Sequence, residues 1–431
     1  MRLFSQEKSK SGDSDNHWLL VAALLPILGY YTTAIMFRVE HALTANAFLF
    51  FTVLVTLLYL LGVIVQRRWL RWAAVAIFIY GFSIFFMASV IIARFDPRQP
   101  LLPHDGAMQI EAAAWELGAG RNPYVVNYAP ALAAFVDINN LAGEAISNPV
   151  LKHLVYLPFH LILTLAGHAL IYPLLGWFDI RLLHWGVFFL AIILAVWWRR
   201  GAESKNQLWL LLTVMNPLFF VYLLQGRSDG LVFALALLGL LFLSRRDWLA
   251  AAVIFGLAFA TRQTAWFLFP FLCLYLVGAC QRGEISRLLL KKSAAVFAVV
   301  FAGIMLPFFL WSPRDFVQDT LLYTVGASDV RYPINGFGLG TQLYALRIIP
   351  SLSSYFPFWA IQLIVIIPLL IVLLRWQSRA NNIPRLLVAY AVWLATFWLF
   401  SRFFHENYLG YIIELLLLAW WWSADTDQQV T

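Results

Sequence analysis

The amino-acid sequence predicts an all-α polytopic membrane protein with about twelve transmembrane helices. Three observations support this fold class. The 431-residue chain is 62% hydrophobic and 12% charged, whereas a soluble domain is about 25% charged. Apolar runs close to the roughly 20 residues that cross a bilayer recur along the chain. Basic residues cluster in short loops between these runs, as the positive-inside rule expects of cytoplasmic loops.

The predicted spans follow the apolar runs in chain order. Several runs are shorter than about 20 residues, which is typical of tilted or broken helices that line a cavity. Asn216-Pro217 breaks the fifth run, because proline lacks the N–H group that continues a helix. The runs lie near residues 18–37, 46–65, 73–93, 182–198, 207–224, 230–244, 248–261, 265–280, 293–311, 358–374, 386–400 and 408–422.

Segment 151–178 is apolar enough for a thirteenth span, but the alternation of basic loops argues against one. A single span between the loop 95–150 and the basic segment 198–205 keeps every basic loop on one side of the membrane, and a second span does not. The segment also contains three histidines and two prolines. We therefore expect an interfacial or re-entrant helix at this position.

This topology places both termini in the cytoplasm. The net charge of +8 is then an orientation signal rather than a nucleic-acid footprint, so we expect membrane lipids and no nucleic acid as partners. The expected location is a plasma membrane, the bacterial inner membrane. The predicted regions are a cytoplasmic tail with three transmembrane helices (1–94), an extracytoplasmic catalytic loop with interfacial helices (95–181), central transmembrane helices (182–311), a second extracytoplasmic loop (312–357), and C-terminal transmembrane helices with a cytoplasmic tail (358–431).

The first long polar segment, His104 to Pro130, carries the strongest candidate for catalysis. A carboxylate beside the membrane suits chemistry on a lipid-linked substrate, and Asp105 is the candidate general base for an acceptor hydroxyl. The alternative is that Asp105 only caps the amphipathic stretch that follows it. His104 and Glu111 are candidate acceptor- or sugar-binding residues, although Glu111 would also be explained as a water-facing residue. Asp96 is better explained as a helix cap.

Two further polar clusters face the same predicted side. The turn Gln225–Gly230 contains Arg227 and Asp229, which either pair locally or contact a sugar or acceptor. Arg262 lies between two apolar segments, where an unpaired arginine is costly. Its guanidinium suits a bidentate contact with a donor phosphate, and the alternative is that its head group reaches out to the membrane surface.

The segment Ser401–Tyr408 brings four polar side chains between two apolar runs. Arg402 and His405 are candidate donor-phosphate residues there, and Glu406 is a candidate sugar or acceptor contact. Arg331 lies in a glycine-rich stretch and either reaches the phosphate or is an ordinary loop charge. The sequence has no His-Glu-x-x-His and no Cys-x-x-Cys motif. We therefore expect neither a cofactor nor a divalent metal.

Taken together, these motifs resemble the GT-C superfamily of integral-membrane glycosyltransferases. The likeness is to the family 87 polyprenol-phosphate-mannose-dependent mannosyltransferases and to the first mannosyltransferase of GPI-anchor synthesis. It rests on segments that occur in the family's order. They are Asp105, Glu111-Ala-Ala, Gly120-Arg-Asn-Pro-Tyr124, Asn127-Tyr-x-Pro130, Asn216-Pro217, Gln225-Gly-Arg-Ser-Asp229, Gly256–Arg262 and His405-Glu-Asn-Tyr408.

The resemblance implies inverting transfer of a sugar, with mannose favoured, from a polyprenyl phosphate to a hydroxyl of a lipid or glycan acceptor. It implies that Asp105 is the base and that the reaction takes place on the extracytoplasmic side. Arg262 stands where the family usually has lysine. In this chain, Asn407 replaces the arginine of the family's usual His-Glu-Arg-Tyr motif. The resemblance therefore leaves Arg402 to supply the missing positive charge. Two spans precede the usual first one, and their role is open. A transporter or flippase of a lipid-linked sugar is the main alternative, and a polymerase or ligase of surface polysaccharide is a second.

Overall fold

The computed structural model describes residues 17–37, 42–98, 102–135, 137–139, 145–199, 203–328 and 330–423. The predicted cytoplasmic tails at 1–16 and 424–431 lie outside these described residues. Within the described ranges, the chain is helical over most of its length and contains two short strand pairs. The all-α prediction is therefore confirmed.

The described residues form the following α-helices, numbered in chain order. They are α1 (His17–Phe37), α2 (Ala42–Ile64), α3 (Arg68–Arg94), α4 (Asp105–Gly118), α5 (Pro158–Leu175), α6 (Ile180–Trp198), α7 (Glu203–Val214), α8 (Pro217–Leu224), α9 (Asp229–Ser244), α10 (Trp248–Phe259), α11 (Phe269–Gln281), α12 (Arg287–Trp311), α13 (Pro313–Val317), α14 (Tyr323–Val325), α15 (Leu339–Ala345), α16 (Phe358–Ser378), α17 (Ile383–Leu399) and α18 (Glu406–Ser423). Strands β1 (Asp137–Asn139) and β2 (Ala145–Ser147) pair antiparallel, and β3 (Asn335–Gly336) pairs parallel with β4 (Phe403–Phe404).

Seven helical segments in the described part of the chain are long and apolar enough to cross a membrane, which is compatible with an integral membrane protein. The pair α7 and α8 counts as an eighth if it is one broken span. The predicted number of twelve is not confirmed, because α9, α10 and α17 have only 16, 12 and 17 residues. The seven are Asn46–Ile64, Arg68–Arg94, Pro158–Leu175, Ile180–Trp198, Gln263–Gln281, Arg287–Trp311 and Phe358–Ser378.

Helix α5 differs from the interfacial or re-entrant element predicted for 151–178. It is a continuous 18-residue helix that is long and apolar enough to span. Pro158 begins this helix rather than breaking it, because the first turn of a helix does not use its N–H groups. Gly176 ends it in the left-handed conformation at φ 73°. The interfacial assignment is therefore not confirmed.

The predicted break at Asn216-Pro217 is confirmed. Helix α7 ends at Val214, and α8 begins at Pro217. The Asn216 side chain accepts a hydrogen bond from the Leu218 N–H at 3.1 Å and donates one to Glu414 at 2.9 Å. The asparagine thereby provides a hydrogen-bond acceptor for the Leu218 N–H, which the interruption of the helix leaves without a backbone partner.

The chain divides into two compact units, and the smaller one contains residues up to Phe82 together with Gly201–Met215. In this unit α1 packs against α2 and α7. Arg71 makes a bidentate ion pair with Glu203, with both N···O distances at 2.9 Å. The Tyr59 hydroxyl donates to Gln207 at 2.9 Å. These contacts connect the two segments of the unit across more than a hundred residues of sequence.

The larger unit contains Ser83–Arg200 and Asn216–Thr431, and within it α4 is fixed by a buried ion network. Glu111 of α4 accepts two hydrogen bonds from Arg94, at 2.9 and 2.5 Å, and one from the Ile180 N–H at 2.8 Å. Arg94 also donates to Asp179 at 2.7 Å, and Asp179 pairs with Arg181. Buried charges of both signs thus compensate one another, and the apolar face of α4 packs on α5.

Candidate active site

A cavity of about 590 Å³ lies in the larger unit and is lined by residues from seven stretches of the chain. These are the start of α4, the segment before α5, the turn between α8 and α9, the segment 262–267, the segment 320–325, the segment 332–335, and the residues from the end of α17 to the start of α18. The polar residues whose roles are discussed below are His104, Asp105, Asn148, Tyr156, Arg227, Asp229, Arg262, Tyr332, His405 and Asn407.

Asp105 lies at the first position of α4, and His104 is the N-cap residue. One Asp105 oxygen accepts the Gly106 N–H at 2.6 Å, and the other accepts the Asn148 amide at 3.0 Å. His104 Nδ1 is 2.8 Å from Asp105 Oδ1 and 3.1 Å from the Gly106 nitrogen. Nδ1 accepts from Gly106 when it is unprotonated and donates to Asp105 when it is protonated. The two contacts therefore belong to different protonation states.

The pKa of Asp105 lies below its ordinary value. Burial raises this pKa, but the hydrogen bond and charge of His104, with the Asn148 amide and the Gly106 N–H, outweigh burial and lower it. Asp105 is therefore an ionised carboxylate at neutral pH and is available as a hydrogen-bond acceptor inside the cavity.

Two glycines permit close contacts at the start of α4. A Cβ atom on Gly106 would lie 2.0 Å from the Tyr156 hydroxyl, so only glycine lets this tyrosine approach the start of α4. Gly226 has φ +85°, and a Cβ there would lie 2.9 Å from the Ala107 Cβ. The His104 N–H donates to the Gln225 carbonyl at 2.9 Å. Asp105 and the turn are held side by side as a result.

The cavity lining also contains a connected chain of arginine, aspartate and asparagine side chains. Arg262 donates from Nη1 to Asp229 at 2.7 Å and to Ser228 at 2.9 Å. The second Asp229 oxygen accepts from Asn407 at 2.8 Å, and the Asn407 oxygen accepts from Arg227 at 2.9 Å. This arrangement leaves N–H groups on both guanidiniums that are not used by these bonds.

His405 lies against Tyr332, with the Tyr332 hydroxyl 3.3 Å from Nε2. Burial, together with the neighbouring positive charge of Arg227, lowers the pKa of His405 to about 4. The ring is therefore neutral at pH 7. It offers one N–H donor and one acceptor rather than a cation.

The structure brings six of the predicted site residues into this cavity: His104, Asp105, Arg227, Asp229, Arg262 and His405. The other four lie outside its lining, and their predicted site roles stay predictions.

Those four have other contacts. Glu111 pairs with Arg94, as described above. Arg402 is 2% exposed and donates to the carbonyls of Tyr332, Ser354 and Leu352. Arg331 lies 5.8 Å from the centre of the Tyr355 ring. Glu406 accepts from the Tyr222 hydroxyl at 3.3 Å.

Asn148 and Asn407 also line the cavity, although neither is among the site residues that the sequence predicts. A signal for Asn148 existed, because Asn-Pro occurs three times as a cap: the asparagine side chains at 122, 148 and 216 each accept the N–H two residues later. From the sequence, Asn407 is one of the four polar side chains of the segment Ser401–Tyr408 and a departure from the family's motif, with no predicted role in the site. Its bonds to Asp229 and Arg227 are set by the tertiary fold. In the described part of the chain, no group of three or more His, Cys, Asp or Glu side chains is placed to hold a metal ion.

A family model described as "Alpha-(1->6)-mannopyranosyltransferase, N-terminal domain" matches residues 153–278. The matched segment includes Arg227, Asp229 and Arg262, whereas Asp105 and His405 lie outside it. No curated protein and no solved structure matches the chain. The resemblance to a GT-C mannosyltransferase is thereby confirmed, and the mannosyltransferase-family domain supports a glycosyltransferase.

Proposed function

We propose that the protein transfers a mannosyl residue from a polyprenyl-phosphate donor to a hydroxyl of a lipid or glycan acceptor, with inversion at the anomeric carbon. The observation that carries this proposal is one cavity that contains both the Asp105 carboxylate and the guanidiniums of Arg227 and Arg262. Mannose and an α-(1→6) linkage are supported by the description of the matched family. The reaction is assigned to the extracytoplasmic face of a bacterial inner membrane, with both termini in the cytoplasm.

In the proposed step, the acceptor oxygen attacks the anomeric carbon as Asp105 takes the hydroxyl proton. The bond from the anomeric carbon to the phosphate oxygen breaks, and its electron pair leaves with the polyprenyl phosphate. The low pKa of Asp105 makes it a weak base. Proton transfer to Asp105 becomes favourable as the new carbon–oxygen bond forms, because that bond makes the hydroxyl proton acidic.

Arg262 and Arg227 are the proposed partners of the departing phosphate. Asp229 and Asn407 hold the two guanidiniums in place before substrate binds, as catalysis by fixed charges requires. His405, neutral at pH 7, contributes a hydrogen bond rather than a charge. The proposed step uses no cofactor and no divalent ion, so turnover in the presence of a chelator is part of the test.

The test is a transfer assay in liposomes with a panel of radiolabelled polyprenyl-phosphate sugars and an extracted lipid acceptor. Asp105→Asn should lower transfer by about 100- to 10,000-fold, the usual contribution of a general base, while the protein stays folded and binds donor. Asp96→Asn is the matched control, because Asp96 accepts the Arg98 N–H at 2.8 Å after the end of α3 and lies outside the cavity lining. Normal turnover by Asp105→Asn would contradict the mechanism. Equal passage of uncut labelled lipid across the bilayer in both proteins would support the flippase alternative.

A further inference from the structure

Tyr323 contributes to the lining of the catalytic cavity, but the proposed reaction gives this residue no role. The side chain is 0% exposed. Its hydroxyl makes no hydrogen bond to any of the described residues. Burying an unpaired hydroxyl costs free energy, and native structures retain few such groups. A buried hydrogen-bonding group without a protein partner therefore lies at the wall of the cavity.

The Tyr323 ring is held in place on two sides. It stacks on the His153 ring, with the ring centres 4.6 Å apart and 23° between the planes. The Tyr332 ring packs against it in a T-shaped arrangement, with the centres 5.8 Å apart. Asp319 lies 2.8 Å from Nδ1 of His153 and fixes that ring in turn. These contacts set the position of the hydroxyl before substrate binds.

A π-helical turn over Gln318–Leu322 determines which way Tyr323 points from its helix. The Tyr323 N–H donates to the carbonyl five residues earlier, whereas an α-helix uses the fourth. The extra residue turns the following side chains by about 100° around the helix axis. The turn is also anchored, because the Gln263 amide donates to the Thr320 carbonyl at 2.7 Å. Since Gln263 follows Arg262, the turn is connected to the segment that carries a proposed phosphate-binding residue.

The surroundings of the Tyr323 hydroxyl suit a neutral donor. Burial raises the pKa of Tyr323, and Tyr332 and the carboxylates of Asp105 and Asp319 add smaller contributions in the same direction. The hydroxyl therefore stays protonated at neutral pH and offers an O–H group. The charges that act most strongly on it are these carboxylates and not the cavity arginines. A ligand of this hydroxyl is therefore expected beside the proposed base.

We infer that a hydroxyl oxygen of a sugar at the site of transfer accepts the Tyr323 O–H, which makes Tyr323 a substrate-binding residue. This inference rests on the proposed function. The transferred sugar and the acceptor sugar both present hydroxyl oxygens near Asp105, and either would complete the bond. The hydroxyl is closed off in this conformation, so a shift of a lining side chain accompanies binding, as is common on complex formation. Substrate then removes the cost of the unpaired group, which favours the bound state.

The first experiment compares Tyr323→Phe with wild type, using the full-length protein in nanodiscs. The melting temperature without substrate should not fall, because the variant loses no hydrogen bond within the protein. The value of kcat/KM should fall about tenfold, as loss of one neutral hydrogen bond to substrate predicts. A lower melting temperature would overturn the inference, because the hydroxyl would then have a partner before substrate binds.

Tyr59→Phe is the matched control and should give the opposite result. Its hydroxyl is also buried, but it donates to Gln207 at 2.9 Å and lies outside the cavity lining. The melting temperature of this variant should fall, and kcat/KM should stay unchanged. The two variants remove the same atom, so a general effect of the substitution cannot produce both results.

The second experiment identifies the sugar with monodeoxy analogues of the donor mannose and of the acceptor. One analogue should lose about tenfold in kcat/KM with wild type and nothing further with Tyr323→Phe, because the two changes remove the same bond. A deoxy donor with this behaviour assigns the bond to the transferred sugar, and a deoxy acceptor assigns it to the acceptor. Losses that multiply for every analogue, or an unchanged kcat/KM in Tyr323→Phe, would overturn the inference. Normal transfer by Asp105→Asn would instead contradict the proposed mechanism and leave this comparison readable, so the two failures are distinguishable.

Discussion

Asp229 pairs with Arg262 directly and is connected to Arg227 through Asn407. Replacing its charge tests whether this arrangement stabilises the site. The side chain is 3% exposed and accepts hydrogen bonds from Arg262 at 2.7 Å and Asn407 at 2.8 Å. Asp229→Asn keeps the shape but leaves Arg262 without its counter-charge. Breaking a buried pair costs about 3–5 kcal/mol. We expect about 3 kcal/mol, because the Arg262 side chain is still 19% exposed and Ser228 still accepts from it.

The assay is a double-mutant cycle on thermal or denaturant unfolding in detergent, with parallel measurement of kcat/KM. If the pair is coupled, Arg262→Gln added to Asp229→Asn should cost less than the sum of the single losses, by about 2 kcal/mol. Asp247→Asn is the control: this residue caps α10 through the Ala250 N–H at 3.2 Å, and asparagine caps equally well. Losses that add to within about 0.5 kcal/mol would refute the coupling.

Two further predictions concern the position of α4 and the response to pH. Glu111→Gln should lower the melting temperature and kcat/KM together, because Arg94 loses the carboxylate that connects it to α4. Glu116→Gln is the control: its partner Arg121 is exposed, so both quantities should stay unchanged in the same melting and transfer assays. The free energy of unfolding should fall as pH falls from 6.5 to 4, because His405 binds its proton more weakly when folded. His405→Asn should make the free energy of unfolding depend less on pH, as measured by denaturant titrations at each pH. An unchanged dependence on pH would contradict the lowered pKa of His405. Asp105, with its lowered pKa, contributes stability above pH 3.8 that is lost at lower pH.

Short polar motifs between apolar runs predict Asp105, Arg227, Arg262 and His405 as candidate site residues, and all four line the cavity. Each motif keeps its own residues together, and the cap at Asn216-Pro217 is likewise a local event. The number of spans was less predictable. A hydropathy pattern identifies an apolar run, but tertiary packing determines whether a run such as 158–175 forms a complete helix. Short apolar helices such as α10, with 12 residues, fall below the length expected of a transmembrane helix.

The sequence by itself determined the all-helical apolar fold, the interruption at Asn216-Pro217, and the segments that contribute residues to the site. These features could be predicted because hydropathy, helix periodicity and capping depend on residues a few positions apart. Only the tertiary structure decided which charges face the cavity. Glu111 is occupied by Arg94, and Arg402 by backbone carbonyls, whereas Asn407 reaches Asp229 across 178 positions of sequence. The reason is physical: a buried charge must find a partner, and that partner is provided by packing between helices that are distant in the chain.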